Sequence, residues 1–326
     1  MKKLAYFYNF LLRKKVSRKK FITFSFAGLA ALLSQNFMFK FALAKDGDSY
    51  GRPKNNIKGN HDLVAVLGED PYQITVKAVE AMGGMERFVK KNGVVVIKPN
   101  IGWDRSQEQA GNTNPQVVAA LIDMSFKAGA KRVNIFDITC NDPRRCYINS
   151  GIEQVAKEKG ATIYITDDWN VVRARFNYKS PMEGWPVFKD ALDCDTFINV
   201  PILKNHALTG LTLSMKNLMG VCGGNRGLMH NDIGPKLVDI TDFISPDLTI
   251  IDAYRILVRN GPTGGSLEDV AYKKTVIAAT DPTLADSYAC KLVGVDPLSI
   301  PYIKVAADRK FGNYDVDRAD ILTLKI

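Results

Sequence analysis

The chain has 326 residues, with 44 Lys and Arg against 34 Asp and Glu, and a formal net charge of +10. Nine of the basic residues and none of the acidic ones fall in 1–44, leaving 35 basic and 34 acidic side chains in 45–326, a net charge of +1. This near-neutral body excludes a globally basic nucleic-acid-binding domain, and 46% apolar with 24% charged residues is an ordinary globular composition.

Residues 1–44 read as an export signal. A basic stretch precedes an apolar run at 21–33, and Ala42-Leu43-Ala44 offers an A-x-A cleavage site. Thirteen apolar residues are short for a membrane span, so contact with a membrane is expected only through this leader if it stays uncleaved. Ser17-Arg18-Lys19-Lys20-Phe21-Ile22 resembles the twin-arginine motif, with Lys19 at the second arginine position. That resemblance implies export of a folded protein through dedicated machinery to a periplasmic or other extracytoplasmic location.

Residues 45–61 are polar and rich in Gly, Asn and Lys, and read as a linker. Short β-branched runs then alternate with helical stretches. Strands are expected at 63–67, 94–98, 133–137, 162–166, 196–200, 248–252, 275–279 and 321–325. Helices are expected at 72–90, 115–128, 148–159, 208–219, 235–244, 282–292 and 299–309. Continuously apolar strands separated by helices predict an α/β fold, a mostly parallel sheet with helices on both faces. Its length suits two lobes, 62–182 and 183–326.

In open α/β sheets ligands bind beyond the carboxyl ends of the strands. Those positions hold Lys98 and Asn100, then Asn141, Asp142 and Arg144, then Lys204 and His206. Lys98, Asn100, Asn141, Asp142, Arg144, Lys204 and Arg226 are therefore the candidate contacts to a small anionic molecule. Asp137, Asp142 and Asp252 offer an alternative, hard-cation site, although their spacing is not that of an EF-hand.

The densest stretch is 199–230, which contains two of the three histidines, His206 and His230. On the expected helix Thr209, Thr212 and Lys216 share one face, which points either to a pocket or to solvent. The loop Gly223-Gly224-Asn225-Arg226-Gly227 is either an anion cradle or a helix cap and turn; it is not a P-loop. Neutral imidazole serves as proton carrier or metal ligand. The five cysteines form no C-x-x-C pair, which excludes a ferredoxin-type cluster, and they read mainly as buried free thiols.

The segments VVIKPNIGWD, NTNPQVVAAL, DITCNDPRRCY, NVPILKNHALTGLTLSMKNLMG and NGPTGG resemble the bacterial family catalogued as domain of unknown function 362. The resemblance covers roughly 62–312 and implies no established activity. A more distant one is to the nickel-pincer lactate racemases. His206, Lys216 and His230 follow the order of that family's catalytic histidine, cofactor lysine and nickel histidine, with the same ten-residue first step. It implies His206 and Lys216 as catalytic residues, with Lys216, Asn217, Gly223 and Gly224 around a metal-organic cofactor and His230 on the metal. Cys140 and Asn141 stand where that family's second catalytic histidine is expected, which argues against racemisation by two opposed histidines. The expected function is thus a cleft for a metal-bound cofactor and a small anion, in a racemase-, isomerase- or redox-type enzyme. The competing reading is a non-enzymatic periplasmic ligand-binding or cofactor-handling protein.

Overall fold

The computed structural model describes residues 47–166 and 170–326; the expected export signal lies outside them. The chain order is β1 (Asp48–Ser49), β2 (Leu63–Leu67), α1 (Pro71–Ala81), β3 (Val94–Pro99), α2 (Pro115–Lys127), β4 (Arg132–Ile135), α3 (Pro143–Asn149), α4 (Ile152–Glu158) and β5 (Thr162–Ile163). It continues with β6 (Val171–Ala174), β7 (Pro186–Phe188), β8 (Thr196–Val200), β9 (Ile202–His206), β10 (Gly210–Thr212), α5 (Ser214–Asn217) and α6 (Ile233–Ile244). Last come β11 (Leu248–Leu257), β12 (Val270–Ala279), α7 (Pro282–Leu292), α8 (Pro301–Asp308) and β13 (Ile321–Lys325).

Four helices begin alike, with an Asp or Asn cap before a proline. Asp70, Asn114, Asp142 and Asp281 each accept a backbone N–H from the first turn, and proline fixes the helical φ without costing a needed donor. The main sheet runs β13-β2-β12-β11-β8-β3-β4-β5, with β9 paired to β11 and β10. Its pairs are parallel except where β12 meets β11 and β2 and where β9 meets β10. The strands of 62–182 and 183–326 share this one sheet, with β2 of the former inserted between β13 and β12 of the latter.

Strand alternation divides the core into two layers. Val64, Val66, Val95, Ile97, Ile198 and Val200 face α1 to α4. Leu63, Ala65, Val96, Phe197 and Ile251 face α5 to α8. The sheet is thus covered on both faces, as its continuous apolar strands require.

Three expected helices differ. That at 72–90 stops at Ala81, ahead of Gly83-Gly84. That at 148–159 is two helices, broken where Gly151 takes φ +75°, a left-handed value that glycine tolerates without Cβ strain. At 208–219 the chain forms the β9–β10 hairpin, then the one-turn α5 and a 3₁₀ turn at 218–221.

The segment expected as a linker is docked over its described part. Asp48 and Ser49 pair with β6. The buried Arg52 guanidinium lies 2.7 Å from Asp247 Oδ2 and donates to the carbonyls of Ile244 and Ser245. Polar composition concealed this anchor because its partners lie almost 200 residues away.

Candidate functional site

Chain order reverses direction across the sheet at β3, with β4 and β5 on one side and β8 and β11 on the other. Such a switch point leaves a crevice at the strand carboxyl ends. A cleft of about 420 Å³ opens there, lined by the ends of β3 and β9, the segment after β4, α5, and the loop carrying Arg226 and His230.

Its floor is a polar lattice. Lys98, fully buried, lies 2.7 Å from Asp137 Oδ1 and donates to Asn217 Oδ1 and the Pro99 carbonyl. Burial lowers the Lys98 pKa and the Asp137 charge opposes that shift. Asp137 also accepts the N–H groups of Ile101 and Ile138. Asn217 reaches Lys98 and Asn199, which are register partners on adjacent β3 and β8, and accepts from Asn100 Nδ2. Gly220 lies against the ion pair: a Cβ there would meet Asp137 Oδ1 at 1.8 Å. Asp137 thus serves as the counter-ion of Lys98.

The hairpin supplies the next wall. His206 pairs with Gly210 and Lys204 with Thr212, so these side chains share one face, while Asn205 and Leu211 face the other way. Lys204 donates to Asn100 Oδ1 at 3.0 Å and to the Gly111 carbonyl at 2.7 Å. It has no carboxylate partner among the described residues, and burial brings its pKa down to about 7.

The two histidines stack, with ring centroids 5.9 Å apart and 20° between planes. Their hydrogen bonds are complementary. Leu208 N–H donates to His206 Nδ1 at 3.1 Å, which puts the proton of the neutral ring on Nε2. His230 Nδ1 faces the Gly227 carbonyl at 3.3 Å, so its Nδ1 is the donor and Nε2 keeps the lone pair. That lone pair faces Lys216 Nζ at 3.3 Å. Burial, then the Lys216 charge, pushes the His206 pKa down to about 3, and the same two causes lower that of His230. Burial brings Lys216 down to about 8.

Lys98, Asn100, Lys204, His206, Lys216, Asn217, Arg226 and His230 therefore line one cleft. Arg226 donates to the carbonyls of Ile138 and Thr139, tying its loop to the segment after β4. The remaining candidates do not line it. Asn141 accepts from Asp104 N–H, Asp142 caps α3, and Arg144 is exposed on α3. Gly223 and Gly224 pack against Pro186, and Gly223 is bonded to β7, so the glycine loop is a strand-edge contact instead of an anion cradle. Asp252 serves the backbone of Asn114 and Tyr254. Among the described residues no three His, Cys, Asp or Glu side chains converge as a cage for a metal ion. Sequence reasoning passed over Trp103, Met219 and Pro262 as lining residues. It also read Cys140 as buried, whereas it is an exposed free thiol at the cleft.

The family model described as a domain of unknown function, number 362, matches residues 95–291, more than half of the chain. The chain belongs to this family. Within the match lie the whole cleft floor, the hairpin and both histidines. A relative by sequence, the thylakoid-associated protein sll1697 of Synechocystis, is 28% identical over 249 residues, covering 72% of this chain and 73% of that one. Among solved structures, the lactate racemase apoprotein of Thermoanaerobacterium thermosaccharolyticum aligns at TM-score 0.45 and 12% identity, over 74% of this chain and 58% of its own. A Thermotoga maritima protein aligns at TM-score 0.35 and 14% identity, over 68% of this chain and 57% of its own. Among the described residues no helix is long and apolar enough to cross a membrane.

Proposed function

We propose that the cleft binds a small organic anion beside a metal-organic cofactor attached at Lys216, with His206 handling a proton of the bound anion. The observation that carries this reading is the 3.3 Å approach of Lys216 Nζ to the lone-pair nitrogen of His230, with the His206 ring stacked alongside. A bare ion would need several protein donors, and no such set exists among the described residues. A cofactor that brings its own donors asks the chain only for one attachment point and one imidazole, which Lys216 and His230 provide. Bound there, such a group supplies a Lewis-acidic, redox-active centre.

The electrostatics support the same reading. A protonated Lys216 occupies the His230 lone pair, so attachment through the amine would remove the charge and release the nitrogen for a metal. The cleft holds Lys204, Lys216 and Arg226, while its carboxylate, Asp137, is committed to Lys98. That surplus of positive charge favours an anion. With its proton on Nε2, His206 enters the site as a hydrogen-bond donor to the anion, and it would act as a base there only in the Nδ1–H tautomer, which frees the Nε2 lone pair.

The leader at 1–44 fits delivery of a preloaded, folded protein to an extracytoplasmic compartment. Intact-mass and metal analysis of protein purified from its native host tests the reading. The expected result is added mass on the peptide containing Lys216 and stoichiometric metal that Lys216→Ala abolishes. An unmodified Lys216 without metal overturns it. The competing reading, a ligand-binding protein without turnover, uses the same anion site and predicts thermal stabilisation by anions in the unmodified chain.

A further inference from the structure

One buried polar atom of the cleft is unaccounted for. Thr212 lines the cleft, is only 4% exposed, and its Oγ1 has no hydrogen-bond partner among the described residues. Leaving a buried hydroxyl unpaired is costly, and native structures pair most such groups with protein, water or a ligand. The hydroxyl is not isolated. Thr212 is the cross-strand partner of Lys204, which places their Cβ atoms about 5 Å apart on the same hairpin face. Lys204 is itself 2% exposed and is held by two neutral oxygens, Asn100 Oδ1 and the Gly111 carbonyl. An ammonium in that setting lacks its negative counterpart.

We propose that Lys204 and Thr212 form a carboxylate seat, in which one carboxylate oxygen takes the Lys204 ammonium and the other the Thr212 hydroxyl proton. His206, two residues along β9 on the same face, stands about 6.6 Å further along the strand. Gly210, opposite His206, brings no side chain to obstruct it. The ligand class is therefore a small carboxylate, seated on Lys204 and Thr212 with its substituent directed along the strand toward His206. This rests on the anion-binding reading above and adds the orientation of the anion, but it does not require the cofactor.

Calorimetry on the purified full chain near pH 6.5 tests the seat with four probes: glycolate, acetate, glycolamide and inorganic phosphate. Glycolate and acetate are both expected to bind, with glycolamide showing no binding because it has no charge for Lys204. Thr212→Val should weaken glycolate by roughly tenfold or more, the loss of one hydrogen bond to a charged group, while Thr212→Ser keeps most of the affinity. The same Thr212→Val change should raise the melting temperature of the ligand-free chain, because it removes an unpaired hydroxyl without changing side-chain volume. That opposite pair of shifts separates a ligand contact from a structural one. Equal glycolate affinity in wild type and Thr212→Val, no glycolate binding at all, or tighter binding of phosphate than of glycolate overturns the proposal. An unmodified Lys216 would overturn the cofactor reading and leave these affinities unchanged.

Discussion

Gly220 is pressed against Asp137 so closely that a Cβ on residue 220 would stand 1.8 Å from Oδ1 and 2.6 Å from Lys98 Nζ. The 3₁₀ turn at 218–221 thereby closes the floor of the cleft over a buried ion pair, and only hydrogen on the Cα leaves room for it.

Gly220→Ala must displace either the turn or the pair. Separating a buried lysine and carboxylate leaves each desolvated and unmatched, so the expected cost is about 3 kcal/mol. Chemical denaturation measures it as a fall in midpoint with an unchanged slope. A wild-type midpoint would mean that the turn moves aside freely.

Arg52 predicts a second, separate loss. Arg52→Ala leaves Asp247 buried, although Asp247 still accepts from Phe197 N–H and Asn55. The expected destabilisation is roughly 3 kcal/mol, together with release of the segment ahead of β2. Limited trypsin digestion reads the release directly, as faster cleavage after Lys54 and Lys58 than in wild type.

These two residues mark what sequence reasoning sees and misses. The strands at 63–67, 196–200 and 321–325 were legible to the residue, the first two because short, mostly apolar runs are buried on both faces. Part of the cleft was legible because Lys98 lies near the carboxyl end of β3 and His206 ends β9. The hairpin at 202–212 was not: threonines and a lysine at spacings of three and four mimic a helix face, and the pairing of β9 with β11 decides otherwise. The helix reading nevertheless put Thr212 and Lys216 on one side, and both line the cleft. The anchor at Arg52 and the lid at Gly220 depend on contacts far away in sequence, which local periodicity does not encode.

Lys204 gives the carboxylate seat a pH dependence. The groups around it are Lys98, Lys216 and His206, which disfavour its charge or share its burial, and Asp137 and Cys140, which favour it. With a pKa of about 7 in the empty cleft, the lysine is charged below that value and neutral above it. A carboxylate binds the charged form, so binding takes up a proton wherever the free lysine is neutral. Glycolate affinity should be flat below about pH 6.5 and fall by roughly tenfold per pH unit well above 7. Calorimetry in buffers of different ionisation heat measures the proton uptake, expected near zero at pH 6 and approaching one at pH 8.5. An affinity constant from pH 6 to 9 would assign the charge to another group.

His206 should remain neutral across the working range. Burial and the nearby Lys216 charge push its pKa down to about 3, against the usual value near 6.5. A lowered histidine pKa means that the unfolded chain takes up a proton first as the solution is acidified. This residue's contribution to stability is therefore complete above about pH 6.5 and is lost as pH falls toward 3. Asp286 and Asp252, raised by burial to about 7 and about 6, change stability in the opposite direction over part of that range. The single-site signal is consequently the one to measure. Nitrogen-15 spectra of the imidazole should show His206 as the Nε2–H tautomer, with shifts constant from pH 5 to 9, because Leu208 N–H occupies Nδ1. In His206→Gln the unfolding free energy should fall less steeply than in wild type between pH 6.5 and 5. A His206 ring that titrates near pH 6.5 would remove the basis for its role as a neutral hydrogen-bond donor to the bound anion.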